Sequence, residues 1–256
     1  MTTTKFFVGG GDNIINIIIY NVMNMSQEKK TTFQTEKNKE IKNKYHYTTD
    51  WFEQHQTEWK KNSVMWKDTL SHLQGKKINF LEIGVFEGRS TIWLLENFFE
   101  NPESKLVAVD LFEECLPNYK HEKLFRENIE KSGKANQVEI IKGKSFDVLA
   151  KLNCKKREPF DFIYIDGCHD SLNVMEDAVL GWNLLKEGRI MIFDDYEWDN
   201  MKEEFNNPRL AIDAFLKTHQ IQIELVYKSY QVAIKKVIRE IPRTERTDRR
   251  VKWNFL

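Results

Sequence analysis

The stretch Asn79-Phe80-Leu81-Glu82-Ile83-Gly84-Val85-Phe86-Glu87-Gly88-Arg89-Ser90-Thr91 constrains the chain more than any other. An apolar run that closes on an acid, then two spaced glycines, then helix-forming residues reads as strand, tight turn and helix. At such a turn an open α/β sheet receives its ligand, because glycine lets the backbone come close to it. A dinucleotide site requires G-x-G-x-x-G, whose glycines admit a pyrophosphate. Here the order is Glu82-x-Gly84-x-x-x-Gly88, with Phe86 where a further glycine would sit. That pattern fits a ligand without a pyrophosphate better than it fits NAD.

The strand-then-helix rhythm repeats downstream. Strands are expected at Ile78–Ile83, Leu106–Asp110, Val138–Ile141, Phe160–Asp166 and Arg189–Phe193. Helices are expected at about Ser90 to Phe99, His121 to Lys131 and Ser145 to Leu152. A further helix carries Leu172, Met175, Val179, Trp182 and Leu185 on one face, and another opens at Pro208. Two last strands, Ile221–Tyr227 and Gln231–Lys235, meet at a turn through Lys228-Ser229 and should be antiparallel. Strands alternating with helices imply a mostly parallel, Rossmann-like sheet with helices on both faces.

Ahead of the first strand, Phe52, Trp59, Trp66, Leu70 and Leu73 recur at helical spacing, and Asp50 with Glu53 reads as a capping box. Trp51, Trp59 and Trp66 are expected to pack against the sheet rather than to roof a ligand. Residues 1–44, dominated near their end by Lys, Glu, Thr and Asn, read as a flexible extension. Residues 45–238 form the domain, of which 45–77 are its helical lead-in. The charged tail 239–256 reads as solvated, with Trp253 and Phe255 as docking candidates.

Charge narrows the function. Lys+Arg and Asp+Glu number 39 each, so no basic excess draws the chain to nucleic acid or to a membrane. Cys115, Cys154 and Cys168 are odd in number and scattered, which argues against disulfides and zinc and suits a reducing compartment. The apolar run Ile14–Tyr20 is too short to span a bilayer and is broken by Asn16. A soluble, cytoplasmic protein is expected.

The acids at strand ends carry the chemistry. Asp110 closes the second strand, roughly 20 residues beyond the glycine loop, where an acid accepts from ribose hydroxyls. A turn former is the plainer role for such an Asp. Asp166 closes the fourth strand and Asp194-Asp195 close the fifth. Neighbouring strands lie about 5 Å apart, so these carboxylates repel unless a cation joins them. A hard divalent ion such as Mg²⁺ suits oxygen ligands. The alternative is that Asp194-Asp195 turn the chain and Asp166 caps a helix. His169, in Asp166-Gly167-Cys168-His169, has a pKa suited to proton abstraction. Cys168 has no partner for a nucleophilic arrangement and reads as a packed thiol.

Together the runs Leu81 to Thr91, Val109-Asp110-Leu111-Phe112, Tyr164-Ile165-Asp166-Gly167-Cys168-His169, Leu184 to Gly188 and Ile192-Phe193-Asp194-Asp195-Tyr196 resemble the class I S-adenosylmethionine-dependent methyltransferases. Within them the chain looks like the metal-dependent sugar O-methyltransferases, over residues 45–236. The resemblance implies a seven-stranded sheet with an antiparallel last strand. It implies S-adenosylmethionine held by Glu82, Gly84, Gly88, Ser90 and Asp110, with Ser145 and Phe146 beside adenine. It further implies Mg²⁺ on Asp166, Asp194 and Asp195, with Asp166 or His169 as base. Lys144 stands where the family often has an acid, and Gly188-Arg189 replaces a glycine pair. Tyr196 and Trp198 are candidate walls for the acceptor. That acceptor is expected to be a sugar or other small-molecule hydroxyl, with a catechol or phenol as the alternative. A non-catalytic homologue that binds only the cofactor is a further alternative.

Overall fold

A computed structural model describes residues 56–113, 120–155, 158–198 and 206–237, all within the unit Thr48–Leu256. The extension 1–44, the Asp50/Glu53 cap, Trp51, Phe52, Cys115 and the tail with Trp253 and Phe255 lie outside the described residues, as does the Trp59 side chain. Helix α1 (Gln56–Leu70) and a short 3₁₀ turn (Ser71–Leu73) precede β1 (Asn79–Ile83). There follow α2 (Arg89–Phe98), β2 (Lys105–Asp110), α3 (His121–Lys131), β3 (Val138–Lys142), α4 (Ser145–Cys154) and β4 (Phe160–Ile165). The remainder is α5 (Ser171–Leu184), β5 (Leu185–Phe193), α6 (Pro208–Thr218), β6 (Ile223–Lys228) and β7 (Val232–Lys236). Among these helices none is long and apolar enough to cross a membrane.

The seven strands form one sheet in the order β3-β2-β1-β4-β5-β7-β6. Pairing is parallel from β3 through β5, and β7 runs antiparallel to both β5 and β6. The order reverses beside β1, so the loops after β1, β2, β4 and β5 open on one edge, where such sheets bind ligands. The central strands β1, β2, β4 and β5 are largely apolar on both sides, as a covered parallel sheet requires, whereas the edge strands β3 and β6 are more exposed. Leu81, Ile83, Ile163, Ile165, Met191 and Phe193 pack against α4, α5 and α6. The opposite side carries Phe80, Phe162 and Tyr164. Trp66 of α1 meets Phe162 and Tyr164 edge-to-face at 5.7 and 4.6 Å, and Trp93 of α2 at 5.7 Å. Trp66, Leu70 and Leu73 are buried; the described part of the aromatic stripe is core.

Two expectations are corrected. On α5, Leu172 and Val179 are exposed, and the buried face is Val174, Asp177, Ala178, Gly181 and Trp182. Small residues bring this helix close to the sheet: a Cβ on Gly181 would lie 3.3 Å from the Met191 methyl. Hydrophobicity alone therefore mislocates the contact face. Strand β5 begins at Leu185 instead of Arg189, because Leu185 pairs with Phe160 before a register shift. Leu185 is thus not on the helix.

Gly84 shows why the β1 turn needs glycine. Its φ is +80°, and an added Cβ would lie 1.9 Å from the Asp166 carbonyl oxygen. The end of β4 passes directly over it. Gly84→Ala is expected to destabilise the fold by about 3 kcal/mol or more in chemical denaturation. Gly188→Ala, at φ +72° with open space around it, should lose only about 1 kcal/mol.

Candidate functional site

The site grows from two turns on the same sheet edge. The first follows β1. Its shape is set by Asp110, whose Oδ2 accepts from the Val85 and Phe86 amides at 2.8 and 3.1 Å. The other oxygen, Oδ1, accepts from the Phe112 amide at 2.7 Å. The Gly88 amide donates to the Val85 carbonyl at 2.7 Å and closes the turn. Gly88, at φ +90°, caps α2 and lies where a Cβ would meet the Phe125 ring at 2.8 Å. Glu82 lies beneath the loop, fully buried, accepting from the Ser90 hydroxyl and from Thr91 Oγ1 at 2.6 Å. Burial pushes its carboxyl up to about 7, against the pull of those two hydroxyls. Of the residues expected to hold the cofactor, Glu82, Gly84, Gly88, Ser90 and Asp110 therefore first build the loop itself. A carboxylate oxygen has a second lone pair, so Asp110 retains acceptor capacity for a ribose hydroxyl.

Ser145 opens α4 at the end of β3, near enough to the buried Asp177 of α5 to draw its pKa down. Asp177 Oδ2 lies 3.5 Å from where a Gly167 Cβ would be, so this buried acid sits between the β3–α4 and β4–α5 turns. Burial pushes the Asp177 carboxyl up to about 7. Phe146 is exposed beside this junction.

The second turn follows β4 and meets the end of β5. The pairs Ile165↔Phe193 and Tyr164↔Ile192 set Asp166 and Asp194 side by side, one residue beyond the last pair. Asp166 caps no helix; that role belongs to Asp170, whose Oδ1 accepts from the Asn173 amide at 3.0 Å. Asp166, His169 and Asp195 place one ligand atom each within 4.8 Å of one another. His169 Nε2 lies 2.6 Å from Asp195 Oδ2, and its ring stacks on Trp198 at 4.7 Å. The bond to Asp195 raises the His169 pKa against the effect of burial. Tyr230 donates to Asp195 Oδ1 at 2.8 Å.

Asp194 behaves differently from its neighbours. It accepts from the Tyr164 hydroxyl and, through Oδ1, from the Asp195 amide at 2.8 Å. Burial and then Asp195 push it up to about 6. Asp166 is raised well above the usual carboxylate range by burial, then by Asp194 and Asp195. Carboxylates held this way favour a proton or a cation between them. The carboxylates of Asp166 and Asp195, with Asp194 behind them, offer the oxygen ligands a hard divalent ion takes, and the imidazole beside them can serve as a further donor or as a base. Asp195 also turns the chain, at φ +56°, with the Trp198 amide donating to its carbonyl. The three non-glycine residues with positive φ among those described, Phe86, Phe112 and Asp195, all lie on this edge.

Tyr196 faces away from the acids, its hydroxyl donating toward Asp213 at 3.1 Å, whereas Trp198 stands against His169. Cys168 is exposed, not packed, and donates to Asp170 at 2.8 Å. Tyr164, Gln231 and Tyr230 around the acids were missed by sequence reasoning. For Tyr164 the signal was available: it lies two residues before Asp166 on a strand and so on the same face.

A family model described as a methyltransferase domain matches residues 81–196, from Leu81 in β1 to Tyr196 after β5. A catechol O-methyltransferase from Niastella koreensis is 28% identical over 134 residues, 52% of this chain and 56% of that one. A catechol O-methyltransferase from Mycobacterium tuberculosis is 31% identical over 125 residues, 48% of this chain and 49% of that one. The chain thus spans about half the length of the curated relatives it matches. Among solved structures, an O-methyltransferase from Bacillus cereus in complex with SAH superposes with a TM-score of 0.53 at 20% identity, covering 87% of this chain and 97% of that one. The O-methyltransferase TomG from Streptomyces achromogenes, solved with SAM, gives a TM-score of 0.54 at 15% identity, over 70% of this chain and 80% of that one. At such identities the likeness concerns the fold, a Rossmann-like methyltransferase sheet.

The buried Glu82 makes stability depend on pH with a definite sign. Between its ordinary 4.5 and about 7 the native state keeps a proton that the unfolded chain releases, so stability falls as pH rises. Asp177 adds the same sign. Glu82→Gln, measured by urea unfolding of the ligand-free protein from pH 5 to 8, should flatten this fall.

Proposed function

We propose that the chain, whose residues 81–196 match a methyltransferase-domain model, is an S-adenosylmethionine-dependent, Mg²⁺-assisted O-methyltransferase acting on a small-molecule hydroxyl. The observation that carries the reading is the meeting of Asp166, His169 and Asp195 on the edge that also bears the glycine loop. The loop after β1, with Asp110 behind it, would hold the methionine and ribose of the cofactor. Ser145 and Phe146 would border its adenine. S-adenosylmethionine, when bound, supplies an electrophilic methyl group for in-line transfer to oxygen.

Asp166 and Asp195 would hold the ion, with Asp194 supplying the third charge from behind. Mg²⁺ in that place would lower the pKa of an acceptor hydroxyl and orient it. His169 is the group we assign as base. Its Nε2 already faces the acids, and its bond to Asp195 makes it more basic than a free imidazole. Trp198, stacked on His169, offers an aromatic wall to one side.

For the acceptor, the two relatives named as catechol O-methyltransferases and the Trp198 face support an aromatic diol. A sugar hydroxyl, implied by the sequence resemblance, enters the same assay as a competitor.

Transfer of labelled methyl from S-adenosylmethionine to catechol should be Mg²⁺-dependent and lost on chelation. Asp195→Ala and Asp166→Asn should each lower kcat/KM by about 100-fold, with cofactor affinity unchanged. Full activity after exhaustive chelation would remove the ion from this reading. Tight cofactor binding without turnover on any hydroxyl would remove the enzyme.

A further inference from the structure

Behind the acids runs a chain of buried polar groups that the transfer chemistry leaves unused. Trp66 Nε1 of α1 donates to Gln231 Oε1 at 2.8 Å. Gln231 Nε2, just before β7, donates to the Tyr164 hydroxyl oxygen at 3.4 Å. Tyr164 in turn bonds to Asp194 and stands 3.1 Å from Asp166 Oδ2. Trp66, Tyr164 and Gln231 are each no more than 1% exposed.

The direction of this relay is forced. An indole nitrogen can only donate, so it fixes the oxygen of the Gln231 amide toward Trp66 and its NH₂ toward Tyr164. With its oxygen receiving that bond, the Tyr164 hydroxyl must point its single hydrogen at the acids. Each bond polarises the next, and a low dielectric strengthens all of them. Tyr227 adds a second donor to Gln231 Oε1 at 3.4 Å. The side chains come from α1, β4, and the β6–β7 hairpin, elements far apart in sequence. Nothing in core packing requires a phenol where Phe80 and Phe162 suffice nearby.

We propose that Tyr164 is a positioning residue, oriented by Trp66 through Gln231, which holds the Asp166 and Asp194 carboxylates in the arrangement that accepts a divalent ion. The inference rests on the metal reading given above. Without the hydroxyl, Asp194 Oδ2 loses the donor that orients it, while Oδ1 stays on the Asp195 amide, so the carboxylate can rotate its Oδ2 toward the neighbouring acids. The repulsion among the three acids then rises, and the ion site loses its shape before any ligand arrives.

The test uses the full chain, with Mn²⁺ as the probe read by loss of its free electron-paramagnetic signal, and S-adenosylmethionine affinity by calorimetry. Tyr164→Phe and Gln231→Leu should each weaken Mn²⁺ binding by about tenfold, the usual effect of removing a support to a metal ligand. Cofactor affinity should stay within twofold. The double variant should lose less Mn²⁺ affinity than the product of the two single losses, because Gln231 acts mainly through Tyr164 although it also lies near enough to Asp194 to influence it directly. Mn²⁺ affinity unchanged in Tyr164→Phe would overturn the proposal, as would an equal loss of cofactor binding, which would mark a merely structural role.

If the wild-type chain binds no Mn²⁺, the metal reading itself fails. The relay is then decided by the ¹³C shift of the Tyr164 ring carbon bearing oxygen, which must move in Gln231→Leu. A shift that stays fixed refutes it.

Discussion

Three carboxylates on two adjacent strand ends are the constraint around which this molecule is arranged. Asp166 and Asp194 stand side by side because Ile165 pairs with Phe193, and Asp195 follows at the turn. A parallel sheet cannot relieve that repulsion by sliding, since a one-residue slip would exchange its two faces. The surrounding groups relieve it by other means. Tyr164 gives its hydrogen to Asp194, Tyr230 gives one to Asp195, and His169 places a nitrogen against Asp195. What is left is a site in which Asp166 and Asp194 hold protons above the ordinary carboxylate range, an arrangement that favours a proton or a cation between the acids.

The glycine-loop side of the crevice depends on the same sheet. Glu82 lies in register with Tyr164, so the buried acid under the glycine loop and the phenol under the aspartates share one face. Gly84 permits the loop to cross the end of β4, and Asp110 holds its amides. The turn after β1 and the acid turn touch through backbone: the Asp166 amide donates to the Ile83 carbonyl at 2.8 Å.

Much of the fold was legible because its signals are periodic. Strand runs bounded by Gly, Asn and Pro, and the final turn at Lys228-Ser229, led to seven strands with an antiparallel end, as observed. The α5 face was misread because close approach there depends on Ala178 and Gly181, small residues that carry little hydrophobic signal. At the site, chain position brought the acids together correctly, since strand ends in such a sheet share an edge. It did not reveal that Glu82 and Ser90 bond to each other, or that Asp110 is tied to loop amides. Those are consequences of three-dimensional burial, which turns an acid toward the nearest donors. Gln231 and Trp66 lie 165 positions apart, a separation no local pattern reports.

The central claim is that the methyl donor and a divalent ion occupy one crevice. It is tested most directly by the ¹³C signal of methyl-labelled S-adenosylmethionine bound to the protein, recorded with Mg²⁺ and then with Mn²⁺. Paramagnetic broadening falls steeply with distance, so an ion on Asp166 and Asp195 must broaden the methyl resonance severely, and Asp195→Ala must restore it. A bound methyl signal equally sharp with Mn²⁺ and Mg²⁺ would contradict the account.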